Sequence, residues 1–281
     1  MKNYIEKFNL NKKNVVILGG IGLIGKEITK ACFDAGAKVI VIDFSKKNRK
    51  NFNKIFKGKK NIFYENIDIS RLKKLKKIIE YLTKKYGPTH SLINCSYPRT
   101  KDWKDNSYKN VKINSFEENV RIHMNSFILI ARAFAQQMVK NKLKNSSIVQ
   151  LASIYGLLGQ DTELYKGTNI SESITYAAIK GGIINSVRSM ASYYGKYNVR
   201  INALCPGGIY DYQPTKFVKR YSARTPLKRM AFAHEIASVA LFLVSDASSY
   251  VTGSTVMVDG GWSCINTSKI IINDKKKSCN N

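Results

Sequence analysis

With 281 residues, 47 lysines and arginines against 19 acidic residues, and a net charge of +28, the chain has room for one large domain or two small ones and is strongly basic. A hydrophobic content of 44% beside 23% charged residues excludes a disordered or fibrous protein. The absence of any run of about 18 apolar residues excludes a transmembrane helix, and five scattered cysteines without a C-x-x-C exclude a disulfide scaffold and a zinc site.

The first segment, MKNYIEKFNLNKKN, lacks the apolar stretch and cleavage site of a signal peptide, so a cytoplasmic location is expected. NVVILGG (14–20) is a short apolar run closed by glycines, and a helical pattern follows from Ile24 to Ala35. AKVIVIDFS (37–45) and KNIFYENID (60–68) read as the second and third strands. Between them, SKKNRKNFNKIFKGKKN (45–61) gathers many of the lysines. In RLKKLKKIIEYLTKKYG (71–87), Leu72, Leu75, Ile79 and Leu82 recur at helical spacing, which makes the lysines the solvated face of an amphipathic helix.

HSLINCS (90–96) is a fourth strand, followed by a helical stretch over about 115–140, a fifth strand SSIVQLAS (146–153) and a helix over about 174–195. VRINALCPGG (199–208), a helix in HEIASVALFLVS (234–245) and the strand GSTVMVDGG (253–261) complete the series. Repeated strand–helix–strand units with apolar strands predict an α/β fold, a single doubly wound parallel sheet with helices on both faces. No Pro-, Gly- or Ser-rich linker divides it, so one domain is expected over 12–263, with a loosely attached tail over 264–281. The excess of lysine and asparagine reads as composition, and no zinc-finger or RNP signature points to nucleic acid. Neither a nucleic-acid nor a membrane partner is expected, and no metal.

Three motifs carry chemistry. GGIGLIG (19–25) joins the first strand to the first helix, and Gly20, Gly22 and Gly25 fit G-x-G-x-x-G, a turn whose backbone amides meet a pyrophosphate at a helix N-terminus. Asp43 ends the second strand, where a carboxylate accepts from both ribose hydroxyls and repels a 2′-phosphate. This favours NAD over NADP. In SESITYAAIKGG (171–182), Tyr176 and Lys180 share one helix face, and a nearby ammonium favours the phenolate. Taken alone, that pair is also what chance supplies.

Taken in order, LGGIGLIG, NID, LINCS, LAS, YAAIK, VRINALCPGG, TPLKRMA, FLVSDASSYVTG and VDGGW give the chain a resemblance to the short-chain dehydrogenase/reductase family over nearly its whole length. More loosely, YPRTKDW, SIYG and PGGIYDYQP resemble the branch found in bacterial loci for surface polysaccharides and flagellin-type glycans. The resemblance implies Tyr176 as general acid/base, Lys180 as its partner and a holder of the nicotinamide ribose, and Ser153 as a second donor to the substrate oxygen. It implies cofactor contacts at Gly19, Gly22, Leu23, Ile24, Gly25, Asp43, Asp68, Ile69, Asn94, Tyr176, Lys180, Pro206, Gly207 and Ile209, with Asp68 at the adenine.

The implied activity is NAD(H)-dependent interconversion of a secondary alcohol and a ketone, on a polar or phosphorylated sugar, by a tetramer or dimer. A catalytically idle nucleotide-binding protein is the alternative. The chain departs from the family at Leu18 and Leu23, and at Cys95, Ser96 and Tyr97 of the N-N-A-G motif. Ser153 and Tyr176 are 23 positions apart, farther than in the family, and the extra segment GQDTELYKGTNISES offers Ser171 and Ser173 as rival serines. The segment YDYQPTKFVKRYSARTPLKR (210–229) reads as a loop, and its basic residues Lys216, Lys219, Arg220 and Arg224 fall where the family covers its substrate, which points to an anionic substrate. For the family's helix asparagine, His123 and Asn125 compete. A gapless match favours His123, and two residues lie about 200° apart on a regular helix.

Overall fold

The computed structural model describes residues 3–265. Seven apolar runs form strands: β1 (Asn14–Leu18), β2 (Lys38–Asp43), β3 (Ile62–Asn66), β4 (Ser91–Asn94), β5 (Ser146–Leu151), β6 (Val199–Pro206) and β7 (Thr255–Val258). Valine and isoleucine dominate the central ones because β-branched side chains suit a pleated surface covered on both faces. All pairings are parallel and the order is β3-β2-β1-β4-β5-β6-β7. After β3 the chain crosses back to lay β4 beside β1. The loops leaving β1 and β4 therefore diverge, and a crevice opens at the carboxyl ends of these strands.

The helices are α1 (Gly25–Asp34), α2 (Lys46–Ile55), α3 (Leu75–Tyr86), α4 (Ile113–Asn119), α5 (Asn125–Lys140), α6 (Ile174–Tyr194), α7 (Thr215–Arg224) and α8 (Ala233–Val244). Alternation along each strand divides the core in two. Val16, Ile40 and Leu92 face α3, α5 and α6 through Leu75, Phe127, Ile130 and Ile183. Val15, Ile17 and Val39 face α1, α2 and α8 through Ile28, Phe52, Ile236 and Leu243. A third cluster, Ile154, Leu164, Phe217, Tyr221, Met230 and Trp262, lies outside these two. Leu10, just ahead of the expected domain start, is fully buried in the second core.

The expected strands and helices are all present, with two helices more. One is α2, drawn from the lysine-rich run, where Phe52 and Phe56 are the apolar anchors and the Ser45 hydroxyl caps the start by accepting from Asn48 N at 3.3 Å. The other is α7, which stands where a basic loop was expected and buries Phe217 and Tyr221, four residues apart. The long helix after β4 is interrupted by a π-helical turn at Val120–Met124. Of the expected tail, residues 266–281 lie outside the described residues. Among the described residues, no helix is long and apolar enough to cross a membrane, and no group of His, Cys, Asp and Glu is placed to hold a metal ion.

Candidate active site

The turn after β1 is built on Gly19 and Gly25. Gly19 has φ +70°, and a Cβ there would lie 2.7 Å from the Ser96 Cα at the end of β4. A Cβ on Gly25 would lie 2.1 Å from the Gly19 carbonyl oxygen, so any side chain there would push α1 off the turn. Gly20 keeps an ordinary φ, and its carbonyl accepts from the Thr29 hydroxyl at 2.8 Å. A Cβ on Gly20 would lie 2.8 Å from the Thr29 hydroxyl, so Gly19, Gly20 and Gly25 are all tight positions, while Gly22 has more room. Leu23 is turned outward with 38% exposure, and Ile24 packs against the core beneath α1.

A cavity of about 480 Å³ opens above this turn, lined by Gly19, Gly22, Asp43, Asp68, Ile69 and residues of the loops after β2 and β4. Ile42, Ile67, Ile69 and Ile122 supply an apolar slot. Asp43 is 9% exposed, and its carboxylate accepts from Ser45 N at 3.2 Å and Asn48 Nδ2 at 2.8 Å. Asp68 is held by the Ser70 amide and hydroxyl, at 3.0 and 2.6 Å, and by Arg71. A glycine turn, an apolar slot and a fixed carboxylate fit an adenine dinucleotide.

Asn94 is fully buried and its Oδ1 accepts from the Ser96 amide and hydroxyl. It orders the loop and does not line the cavity, and neither do Leu23, Ile24, Gly25, Lys180 and Pro206. Gly207 and Ile209 border a second cavity, next to Tyr176.

Ser153 follows β5, extended at φ −169°, and Tyr176 and Lys180 stand on successive turns of α6. The Ser173 hydroxyl caps α6 by accepting from Tyr176 N at 3.2 Å, so this rival serine sets the helix start. Lys180 is 3% exposed, donates from Nζ to the Leu151 carbonyl at 2.9 Å, and lies 3.5 Å from His123 Nε2. The π-helical turn swings His123 onto Lys180 with no exposed surface, while Asn125 is half-buried and lines neither cavity.

Burial pushes the Tyr176 phenol up to about 12, with Ser153 pulling the other way, and lowers the Lys180 ammonium to about 7. Burial thus keeps the proton on the phenol, and the Lys180 Nζ stands 5.6 Å from its ring centroid. Burial, and then the Lys180 charge, hold His123 well below the ordinary histidine range. The imidazole is neutral, with Nε2 facing the Lys180 Nζ.

The second cavity, of about 370 Å³, is lined by Ser153, Tyr176, and side chains to which the sequence assigned no role: Tyr97, Trp103, Tyr155, Gln160, Tyr165 and Gln213 among them. Tyr97 borders both cavities and stands edge-on to Trp103, His123 and Tyr176 at 5.7, 5.2 and 6.2 Å. Its substitution in the N-N-A-G motif and its place at the head of YPRTKDW were the signals that could have marked it.

Among the described residues, none that lines this cavity is charged. The basic residues expected to read an anion lie elsewhere. Arg224 pairs with Asp161 at 2.7 Å, Arg220 donates to the Lys166 carbonyl, and Lys216 and Lys219 face solvent on α7. The two arginines fasten the extra segment between Ser153 and Tyr176 onto α7.

Residues 22–263 match the family model described as enoyl-(acyl carrier protein) reductase. Over 255 residues the chain is 30% identical to post-translational flagellin modification protein A of Campylobacter coli, covering 90% of this chain and 99% of that one. It is 30% identical over 267 residues to L-rhamnose-1-dehydrogenase of Scheffersomyces stipitis, covering 90% and 96%. Among solved structures, a short-chain dehydrogenase from Leptospira borgpetersenii with bound NAD+ has a TM-score of 0.81 at 27% identity, covering 94% of this chain and 96% of that one.

Proposed function

The chain belongs to the short-chain dehydrogenase/reductase family and is an NAD(P)-dependent oxidoreductase, and from this premise we propose that it interconverts a secondary alcohol and a ketone on a sugar or sugar derivative, using NAD(H). The observation that carries this reading is the convergence of Ser153, Tyr176 and Lys180 where a cavity fit for a dinucleotide meets an uncharged, aromatic and hydroxyl-lined one. Aromatic faces with hydroxyl and amide edges suit a polyhydroxylated ligand. The flagellin modification protein and the rhamnose dehydrogenase support a sugar and a place in surface-glycan biosynthesis.

When bound, the cofactor supplies or accepts the hydride. The residues of the chain handle the oxygen. Tyr176 Oη gives its proton to the ketone oxygen in reduction and takes it back from the alcohol in oxidation. The Ser153 hydroxyl donates to the same oxygen and fixes its place. Lys180, tethered to the Leu151 carbonyl and faced by His123, holds the ribose side of the site and returns a proton toward Tyr176.

The buried Asp43 carboxylate favours two free ribose hydroxyls over a 2′-phosphate. A half-exposed edge strand β7 and the exposed Leu129, Tyr193 and Tyr250 support a homo-oligomer. Neutral sugars, sugar phosphates and nucleotide sugars screened by NADH absorbance, with both cofactors titrated, test the reading. Turnover of a sugar with NAD is the expected result. No turnover of any alcohol or ketone, or tighter binding of NADP, would overturn it.

A further inference from the structure

The connection between β4 and α4 is pinned by a polar network that the reaction does not use. Asn106 is 1% exposed, and its Nδ2 donates to the Asp102 carbonyl at 3.1 Å and to the Ser115 hydroxyl at 2.9 Å. Ser115 in turn donates to Asp102 Oδ1 at 3.0 Å. Asn119, fully buried, accepts from Thr100 N at 3.0 Å and donates to the Thr100 hydroxyl at 2.8 Å. The Thr175 hydroxyl donates to Asn106 Oδ1 at 2.6 Å, and Thr175 precedes Tyr176 on α6. Loops ordinarily move more than the elements they join. This one is tied to α4 on one side and to the turn bearing the reacting phenol on the other, by buried bonds that make it rigid.

What the network holds in place is Trp103, which opens a single 3-10 turn, Trp103–Asp105. The indole packs on the core beneath, keeps exposed surface, and lines the substrate cavity. It stands steeply to Tyr97 and Tyr176, at 81° and 79°, with centroids 5.7 and 6.3 Å away. Tyr97 has Arg99 and Lys180 over its ring, at 5.2 and 5.9 Å. Among the described residues, no cation stands over the indole and no ring stacks parallel on it. Trp103 is therefore the large aromatic surface left to a ligand, and it lies close enough to Tyr176 for one six-membered ring to meet both.

We infer that Trp103 is a specificity-determining residue: its indole is a fixed platform for the C–H face of a cyclic substrate, so that the enzyme selects a pyranose ring over the open-chain polyol of the same configuration. This rests on the proposed alcohol–ketone chemistry at Tyr176. A pyranose gathers C–H groups on one face, and the electron-rich face of an indole attracts them while a large apolar area leaves water. The ring is also rigid beforehand, whereas an open chain loses its rotations on binding.

The test uses the full chain with NAD and two matched sets of alcohols. One set is the methyl pyranosides of glucose, mannose and galactose with the parent sugars; the other is sorbitol, mannitol and galactitol. Wild type is expected to oxidise at least one cyclic member with a kcat/KM about tenfold or more above its open-chain partner, mainly through KM. Trp103→Leu keeps apolar bulk and removes the aromatic face, so the preference collapses toward unity. Trp103→Phe keeps a smaller face and most of the preference. Melting temperatures and NADH affinities near wild type show that both variants keep the fold. A preference that survives in Trp103→Leu overturns the inference, as does a wild type that oxidises rings and open chains alike, or neither set. A wild type that turns over no other alcohol or ketone either overturns the underlying reading as well, and so marks that failure apart.

Discussion

Tyr176 and Lys180 share a helix face, yet burial acts on them in opposite senses: it holds the phenol's proton on and weakens the ammonium's. Tyr176→Phe removes one hydroxyl from the proton-transfer step and nothing from the dinucleotide cavity. The expected loss in kcat is about 10²- to 10⁴-fold, the range for a placed general acid, with NADH affinity nearly unchanged. Steady-state kinetics with a fluorescence titration checks both, and substantial residual turnover would reduce the motif to a helix face. Lys180 adds a pH-dependent test. An unfolded chain keeps this proton up to about 10.5, while the folded, cofactor-free chain releases it above about 7. Between those values the unfolded state binds more protons, so stability rises with pH across the window. As pH falls from 10.5 toward 7 the cost of the buried charge grows, and below 7 it is complete. Lys180→Met removes that cost. Its melting temperature relative to wild type should be highest near pH 6 and decline toward pH 10. A constant difference over that range would refute the shifted ammonium. His123 does not share the window, because its depressed pKa leaves it neutral throughout. A limb in the pH–rate profile near neutrality therefore belongs to Lys180 and not to His123. The contest between His123 and Asn125 could not be decided from a 100° helical period, since the π-helical turn that brings His123 to Lys180 has no marker in the letters 120–124.

Strands, and helices with a wide apolar stripe, were legible because periodicity records burial directly, as in Leu75, Ile79 and Leu82 of α3. The helices α2 and α7 were not. Each is ten residues long and anchored by few aromatics in a background of lysine, arginine and asparagine, so little apolar period stands out. Missing α7 carried a further error. As a basic loop, residues 210–229 read as an anion trap. As a helix, the same arginines turn toward the segment between Ser153 and Tyr176, where Arg224 meets Asp161 with only 15% and 28% of the side chains exposed. A partly shielded pair of this kind is worth more than a surface bridge, on the order of 1–2 kcal/mol. Its contribution falls on the wall of the substrate cavity. Arg224→Ala should raise the KM for substrate several-fold, leave the KM for NADH unchanged, and speed proteolytic cleavage within 157–173. An equal rise in both KM values would mean that the helix, and not the wall, had been disturbed.

At the scale of the molecule, alternation of strands and helices was enough to predict the sheet, because a parallel β-structure forces a crossover between every pair. The composition of the substrate cavity was beyond such reasoning. Tyr97 and Trp103, Gln160 and Tyr165, and Gln213 come from the three connections after β4, β5 and β6 and meet only after the sheet is assembled. Net charge belongs to this scale too. The +28 reads as composition in the sequence, but the fold gives its distribution a consequence. Ser45 and Asn48 at the start of α2, and Ile67, Asp68, Ile69 and Ser70 ahead of α3, line the dinucleotide cavity, and exposed on α2, on α3 and on the turn just before α3 are Lys50, Lys54, Lys73, Lys74, Lys76, Lys77 and Lys84. A cleft flanked by one sign of charge gathers field lines and raises the encounter rate of an oppositely charged ligand by 10- to 10³-fold, an effect that salt removes once the Debye length shrinks to about 3 Å at 1 M. The pyrophosphate of NADH is such a ligand. Its association rate constant should therefore fall about tenfold between about 10 mM and 500 mM NaCl, while the dissociation rate constant changes less, because contacts inside the cavity are shielded from ions. Stopped-flow quenching of protein fluorescence by NADH reads both constants. Charge reversal of Lys73, Lys74, Lys76 and Lys77 to glutamate, all remote from Tyr176, should flatten the salt dependence and leave kcat as it was. A steep dependence that persists in that variant would place the steering charges at the cavity mouth itself, and a flat one in wild type would return the lysines to mere composition.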